Sequence, residues 1–325
     1  MKEEGIERRD FLKRSARVGA GVAAAGGLGL WLHSRSRHPG QGLSTSLVRN
    51  FSVDAGSGFP RMAVVSGGTP AALAKEALAA LGGMEKFVSR GDVVVLKPNI
   101  GWDRVPQQAA NTNPELVKTL VEMCFNAGAG KVVVTDVSCN DARRCFVRSG
   151  IAGAAELAGA TVMLPEERKF RDYRINGELL SVWPIYTPII EADKIINVPI
   201  AKHHNLSRVT MGMKNWYGIL GGRRNQLHQN VDVGIADLAT FIRPTLTVLD
   251  AYRVLVSNGP QGGNLNDVKL VKTVVAGVDP VAVDAYGTSF FGLRPEQVPY
   301  IMKGHERGLG NKNYAELQVK YVTLE

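Results

Sequence analysis

From Met62 onward, the hydrophobic and polar positions of the chain follow two alternating patterns. Uninterrupted apolar runs, as at Val93–Leu96, are typical of strands that are buried on both faces. Between such runs, apolar residues recur with helical spacing, as over residues 70–87 and after Asn113-Pro114, which combines a capping residue with a first-turn proline. Strands that alternate with helices predict an α/β fold, a mostly parallel sheet with helices on both faces.

The same patterns predict the remaining elements, and one segment departs from them. Strands are predicted over residues 62–65, 131–137, 161–164, 195–200, 245–250, 268–276 and 317–324, and helices over residues 149–159, 231–242, 281–291 and 296–307. Between Glu166 and Pro188 the sequence becomes polar and alternating, with an Asn176-Gly177 turn. This change predicts an antiparallel hairpin inserted at the edge of the sheet.

Polar chemistry is concentrated in residues 197–220, where an apolar run ends. This stretch carries Lys202, His203, His204, Thr210, Lys214 and Asn215. The i,i+4 spacing of Thr210 and Lys214 predicts that both lie on one face of a helix. In open α/β sheets, ligands bind at the carboxyl ends of the strands, where loops and helix N-termini converge. We therefore expect the functional site here.

Other predicted strands also end in polar residues, which should lie at the same edge of the sheet because parallel strands place like ends together. Lys97 and Asn99 follow one strand, Asp136 follows the next, and Asp250 ends a third. The structural alternative is that Asp136 and Asp250 cap helices and that Lys97 pairs with one of them.

These residues form the predicted site. The groups expected to contact a ligand are Lys97, Asn99, Asp136, Lys202, His203, Lys214 and Asn215, with Thr210, Arg223 and Arg224 nearby and a flexible loop at Gly262 and Gly263. Lysines would hold an anionic group and stabilise developing negative charge, while His203 or Asp136 would transfer a proton. The adjacent His203 and His204 point to opposite sides of an extended backbone, so only one can face the site.

Six separated motifs then resemble a known family. They are Leu96-Lys97-Pro98-Asn99; Asn197-Val198-Pro199 through Lys202; Thr210 with Lys214-Asn215 and Gly218; Asn258-Gly259-Pro260 with Gly262-Gly263; Asp279-Pro280-Val281-Ala282 with Asp284; and Arg307-Gly308-Leu309-Gly310. In this order they resemble the domain-of-unknown-function family numbered 362, over roughly residues 62–315. The resemblance implies export by the twin-arginine route and, in some members, iron–sulfur clusters, but no assigned reaction.

The cysteines depart from the iron–sulfur pattern. A ferredoxin-type cluster needs four thiolates, and this chain has three cysteines. Cys124 falls in a predicted helix and is expected in the core. Cys139 and Cys145 leave alternatives open: a disulfide formed after export or free thiols, or two ligands of a metal ion completed by His203 or His204.

The first 38 residues have the layout of an export signal. Arg8-Arg9 precede a weakly hydrophobic Gly/Ala-rich run over residues 18–32, which predicts a twin-arginine signal and the twin-arginine translocase as a partner. The run is shorter than the ~20 residues that span a bilayer, so membrane contact is expected only through this segment, with an uncleaved anchor as the alternative. Residues 39–58 are a predicted linker and residues 59–325 one α/β domain, located in the periplasm.

The charge of the chain favours a small anionic ligand over a nucleic acid. Of the net +9, residues 1–38 contribute +4 and the rest only +5, and 7% aromatic residues provide no basic surface with stacking platforms. We expect an exported protein that binds a small anion or a metal-containing cofactor and acts as an enzyme of unassigned reaction. The alternatives are a periplasmic binding or cofactor-maturation protein without turnover, and an iron–sulfur or metal redox protein.

Overall fold

The structure is a computed structural model that describes residues 48–53, 56 and 58–325. The strands are β1 Met62–Ser66, β2 Val93–Pro98, β3 Lys131–Thr135, β4 Thr161–Met163, β5 Phe170–Arg174, β6 Val182–Tyr186, β7 Lys194–Val198, β8 Ile200–His204, β9 Arg208–Thr210, β10 Leu246–Leu255, β11 Val268–Gly277 and β12 Val319–Thr323. The α-helices are α1 Pro70–Ala80, α2 Pro114–Asn126, α3 Ala142–Arg148, α4 Ile151–Leu157, α5 Thr187–Ile190, α6 Val231–Phe241, α7 Pro280–Gly287 and α8 Pro299–Glu306.

The large sheet has the order β12-β1-β11-β10-β7-β2-β3-β4, with β8 paired to β10 and β9 paired to β8. Within it, β11 runs antiparallel to both of its neighbours and β9 runs antiparallel to β8, whereas all other pairs are parallel. Strands β5 and β6 form a separate antiparallel pair. The predicted mostly parallel sheet and the antiparallel hairpin are confirmed, but the predicted position of the hairpin at the edge of the sheet is wrong, because β5 and β6 pair only with each other and pack against one face of the large sheet.

Helices cover both faces of the sheet, as predicted, because successive strand residues point to opposite sides. In β2, Val94 and Leu96 pack in an apolar core with α1, α2, α3 and α4. Val95 packs in a second core, on the other face, with the β5–β6 hairpin and with α6, α7 and α8. Lys97, two residues beyond Val95, therefore lies on the second face.

Several predicted boundaries differ from the structure for local reasons. Helix α1 ends at Ala80 rather than near residue 87, because Gly82 and Gly83 adopt left-handed φ values of 100° and 89°. The predicted strand over residues 195–200 is divided at Pro199 into β7 and β8. Asp250 lies inside β10, which continues to Leu255, and its carboxylate accepts a hydrogen bond from N–H of Asn113 at 2.7 Å.

The prediction that Thr210 and Lys214 share a helix face is wrong. Strand β8 continues through His204, Thr210 lies in β9, and Lys214 begins a 3-10 helix, Lys214–Ile219. Residues after Pro199 continue as a strand because β8 pairs with β10 and β9, and the chain turns between Thr210 and Lys214 instead of continuing along one helix.

The predicted export signal at residues 1–38 lies outside the described residues, as does most of the predicted linker. The described residues belong to one compact unit. Within the described part of the chain, no helix has both the length and the apolar character needed to cross a membrane.

Candidate functional site

A cavity of about 520 Å³ lies near the carboxyl ends of β2, β3 and β8. Separate segments of the chain contribute to its wall. The lining residues include Asn99, Trp102, Asp136, Cys139, Lys202, His204, Leu206, Thr210, Lys214, Asn215, Tyr217, Gly218, Arg224, His228 and Pro260. Eight of the residues predicted for the site therefore line one cavity: Asn99, Asp136, Cys139, Lys202, Thr210, Lys214, Asn215 and Arg224.

Side-chain amides connect three of these segments. Nζ of Lys202 donates to Oδ1 of Asn99 at 3.0 Å, and Nδ2 of Asn99 donates to Oδ1 of Asn215 at 3.0 Å. Nδ2 of Asn215 donates in turn to Oδ1 of Asn197, in β7, at 2.8 Å. Every side chain in this series of hydrogen bonds has a partner. The network therefore holds these side chains of the cavity wall in fixed orientations.

Beneath the wall, Lys97 and Asp136 form a buried ion pair. Nζ of Lys97 lies 2.7 Å from Oδ1 of Asp136 and donates to the carbonyl of Pro98 at 3.0 Å. Burial lowers the pKa of Lys97, an effect that the charge of Asp136 opposes. The other carboxylate oxygen of Asp136 accepts from N–H of Ile100 at 2.7 Å. The Lys97–Asp136 ion pair agrees with the alternative prediction that Lys97 pairs with a strand-end aspartate for a structural reason. Lys97 does not line the cavity.

Three other cations face the cavity, namely Lys202, Lys214 and Arg224. Asp136 is the one carboxylate among the lining residues, and it is already paired with Lys97. Burial is the main cause that lowers the pKa of Lys202 to about 7. Besides Asn99, the amine of Lys202 donates to the carbonyl of Ala110 at 2.6 Å. Neither acceptor carries a charge, so the positive charge of Lys202 is not neutralised.

Lys214 has an even less polar environment. It is only 6% exposed, and its Nζ lies 4.4 Å from the centre of the Tyr217 ring. Within the described chain, no hydrogen-bond acceptor or carboxylate contacts this amine. Burial, with a smaller contribution from the charge of Arg224, lowers the pKa of Lys214 to about 8.

Arg224 lies on the 3-10 helix Arg224–Asn230 and is held by main-chain carbonyls. Its guanidinium donates to Val137 at 2.7 Å, to Tyr217 at 3.1 Å and to Ser138 at 2.5 Å. A guanidinium stays charged at any physiological pH. Arg224 therefore supplies a permanent positive charge to the cavity, whereas its exposed neighbour Arg223 does not line it.

Of the two adjacent histidines in β8, His204 lines the cavity, and the prediction of His203 at this place needs correction. The two residues alternate in β8, and Nδ1 of His203 accepts from N–H of Gly259 outside the cavity. Nδ1 of His204 accepts from N–H of Leu206 at 3.1 Å, which leaves Nε2–H as the donor of a neutral ring. Burial and nearby lysines lower the pKa of His204 to about 2, so the ring stays neutral.

His228 lies parallel to His204 with complementary chemistry. The ring centres are 6.2 Å apart with an interplanar angle of 12°. Nδ1 of His228 lies 3.1 Å from the carbonyl of Asn225, so this nitrogen carries the proton and Nε2 is the basic atom. Burial lowers the pKa of His228 as well. The pair thus combines a hydrogen-bond donor with a proton acceptor.

The remaining predicted residues have different locations. Oγ1 of Thr210 is buried and has no hydrogen-bond partner among the described residues, so it is available to a bound ligand. Gly262 and Gly263 do not line the cavity, although Pro260 of the same loop does. The carbonyl of Gly263 instead accepts from Nε2 of Gln108 at 3.0 Å.

The structure does not assemble the predicted metal ligands Cys139, Cys145 and His203. Within the described residues, no group of three or more His, Cys, Asp or Glu side chains is placed to hold a metal ion. Cys139 is exposed and Cys145 is buried, both are free thiols, and burial raises the pKa of Cys145 to about 11. A neutral buried thiol is a poor metal ligand. With Cys124 inside α2, the three cysteines also do not fit a ferredoxin-type cluster.

Comparison with known proteins identifies the family. Residues 94–289 match the family described as Domain of unknown function (DUF362). The chain belongs to this family. The match extends over more than half of the chain and confirms the membership predicted from the six motifs. All cavity residues named above lie within the matched range.

A curated relative and a solved structure also show similarity. The thylakoid-associated protein sll1697 of Synechocystis sp. is 28% identical over 282 residues, which cover 84% of this chain and 82% of the relative. A crystal structure of a Thermotoga maritima protein has a TM-score of 0.41 at 10% identity. That similarity covers 69% of this chain and 60% of the solved chain.

Proposed function

We propose that this DUF362 protein binds a small organic anion in the cavity and acts on it as an enzyme. The observation that carries the proposal is the charge of the lining: Lys202, Lys214 and Arg224 face the cavity, and its one carboxylate is already paired. Uncompensated buried positive charge is costly unless an anion accompanies it. The terminal N–H groups of Arg224 already donate to protein acceptors, so Arg224 contributes a fixed positive charge to an anion in the cavity rather than a bidentate contact.

The walls support an anion that carries an apolar part. Trp102, Leu206, Tyr217 and Pro260 line the same cavity as the cations. A volume of about 520 Å³ lies within the usual range of sites for small organic molecules. An inorganic anion alone would leave the aromatic and aliphatic walls without contacts, so a compact organic acid is the better complement.

The histidine pair favours an enzyme over a protein that only binds the anion. His204 presents N–H in a neutral ring, and His228 presents a basic nitrogen. Together they allow one group to stabilise a developing negative charge and the other to accept a proton. A periplasmic binding protein without turnover needs the cations but not this complementary pair.

Isothermal titration calorimetry with a panel of small carboxylates and phosphates tests the anion site. We expect saturable binding that weakens as the pH rises through about 7 to 8, where Lys202 and Lys214 lose their protons. Lys214→Met should weaken binding about tenfold or more, the loss of one charge-assisted contact. The exposed residue Lys75 offers a matched control, because Lys75→Met removes the same charge outside the cavity. Equal affinities of the two variants would refute the site.

Export by the twin-arginine route is the second part of the proposal. It is supported by the Arg8-Arg9 pattern and agrees with the name of the Synechocystis relative, which is a thylakoid-associated protein. Residues 1–58 fused to a folded reporter should deliver it to the periplasm of a bacterium that has the translocase. The double variant Arg8→Lys/Arg9→Lys should retain the reporter in the cytoplasm, and unchanged delivery would contradict the proposal.

A further inference from the structure

Lys214 differs from the other two buried lysines of this region in what its amine contacts. Nζ of Lys97 has a carboxylate and a carbonyl as partners, and Nζ of Lys202 has an amide oxygen and a carbonyl. In the part of the chain that the structure describes, the amine of Lys214 has only the face of the Tyr217 ring. Its lone pair and its hydrogens are therefore not committed to any protein group.

This environment favours the uncharged, nucleophilic form of the amine. Burial disfavours the ammonium ion, and the nearby charge of Arg224 disfavours it further. A desolvated lysine next to another cation is a common arrangement for attack on a carbonyl carbon. Lys202 also has a lowered pKa, but its amine donates to two acceptors, which fix its position in the wall.

The other lining groups could bind the remaining functional groups of a carbonyl substrate that such an amine attacks. Arg224 and Lys202 provide positive charge for a carboxylate, and the neutral ring of His204 provides an N–H for a carbonyl oxygen. His228 provides a basic nitrogen for proton transfer. A small acid that carries both a carboxylate and a ketone or aldehyde would use all four groups at once.

We propose that Lys214 forms an imine with the carbonyl carbon of a small oxo carboxylate whose carboxylate is attracted by the positive charges of Arg224 and Lys202. This inference rests on the proposed anion site and adds a covalent step to it. The amine nitrogen attacks the carbonyl carbon, and one N–H proton moves to the oxygen to give a carbinolamine. A second proton from nitrogen reaches the hydroxyl group, the C–O bond breaks, and one water molecule leaves as the C=N bond forms. No oxidant or reductant is consumed.

Reductive trapping tests the covalent step. The full chain is incubated with pyruvate and sodium cyanoborohydride, which reduces an iminium ion faster than a ketone, and is then analysed by intact mass and peptide mapping. We expect a protein mass increased by that of pyruvic acid less one oxygen atom, with the adduct on Lys214. Saturation with pyruvate concentration, and competition by propionate, should distinguish a bound complex from random modification of surface lysines.

Variants distinguish the role of the Lys214 amine in imine formation from the role of positive charge in anion binding. Lys214→Arg keeps a cation but has no amine, so the adduct should be lost while propionate binding, measured by calorimetry, persists. Lys202→Met should still form the adduct but need a higher pyruvate concentration. Lys75→Met should behave like the unmodified protein.

The outcomes also separate this inference from the anion site on which it rests. Saturable propionate binding without an adduct on Lys214, or with the adduct on Lys202 or spread over exposed lysines, would overturn the imine and leave the anion site intact. An absence of saturable binding of any organic acid would refute the anion site itself. An adduct on Lys214 that saturates and is lost in Lys214→Arg would support both.

Discussion

The three buried lysines show how strongly a residue's immediate partners decide what it can do. Lys97, Lys202 and Lys214 are at most 6% exposed, and burial lowers the pKa of each. Lys97 is paired with a carboxylate, Lys202 is bonded to neutral acceptors, and Lys214 contacts an aromatic ring. The first is suited to stabilising the fold around the site, the second to binding an anion, and the third to chemistry.

Removing one partner of the Lys97–Asp136 pair should be far more harmful than removing both charges. Lys97→Met leaves a buried carboxylate without its counter-ion, and we expect a loss of about 3–5 kcal/mol in the free energy of unfolding. Lys97→Met/Asp136→Asn keeps an acceptor for N–H of Ile100 and should recover a large part of that loss. Urea denaturation of the wild type, both single variants and the double variant measures the coupling. Additive effects would show that the pair does not interact.

Lys214 should make stability depend on pH in a predictable direction. Its pKa falls from 10.5 to about 8 on folding, so between those values the unfolded chain binds more protons and stability rises with pH. Below pH 8 both states are protonated, and the full penalty, of the order of 3 kcal/mol, is present. Lys214→Met should therefore gain stability relative to the wild type at neutral pH, and this gain should disappear as pH approaches 10.5.

The measurement is the difference in the free energy of unfolding between variant and wild type at several pH values. Lys75→Met, which removes an exposed lysine outside the cavity, provides the control. A constant difference for Lys214→Met would mean that its ammonium ion is not destabilised by burial.

At the scale of elements, the 3-10 helix Lys214–Ile219 must approach the strand ends closely. Gly218 has an ordinary φ of −76°, so its backbone conformation does not require glycine. A Cβ atom built on Gly218 would instead overlap Oδ1 of Asp136 and Nζ of Lys97. Glycine is needed there because the helix backbone lies directly on the buried ion pair, which is how this short helix brings Lys214 into the cavity.

Gly218→Ala should therefore force the ion pair and the 3-10 helix apart. We expect a loss of roughly 1–3 kcal/mol in the free energy of unfolding, the usual cost of overpacking. Gly153, within α4, is the matched control, because a Cβ atom there meets nothing within 4 Å. Gly153→Ala should stabilise the protein by roughly 0.5–1 kcal/mol through better helix propensity. Thermal unfolding of both variants checks this, and a neutral Gly218→Ala would contradict the proposed close approach.

Sequence patterns were sufficient for the order of elements but not for the local path of residues 197–220. Continuous apolar runs indicate buried strands, which is why β2, β3 and β7 could be predicted. The path from β8 to Lys214 depends on the short hairpin pairing of β8 with β9 and on the pairing of β8 with β10, which is distant in sequence and has no local signature. The choice between His203 and His204 depends on strand register in the same way, since a shift by one residue exchanges the two faces.

At the scale of the whole molecule, the cavity is assembled by topology from residues that are far apart in sequence. Parallel strands place the ends of β2 and β3 together, and this rule allowed Asn99 and Asp136 to be predicted. Trp102, Arg224 and His228 lie in loops or 3-10 helices beyond the strands. Their positions follow from tertiary packing, and of the three only Arg224 was predicted near the site, from the Arg223-Arg224 pair.

This assembly predicts that an anion should stabilise several distant segments together. A ligand that binds only the folded protein adds about 2.7 kcal/mol of stability at one hundred times its Kd. Hydrogen exchange followed by mass spectrometry should therefore show slower exchange in residues 99–102, 136–139, 202–206, 214–218 and 224–228 when a small carboxylate is present. The β5–β6 hairpin turn at Asn176-Gly177, which does not line the cavity, should change little beyond the global effect. In Lys214→Met the same ligand concentration should protect all five segments less, and protection confined to one segment would show that the anion binds elsewhere.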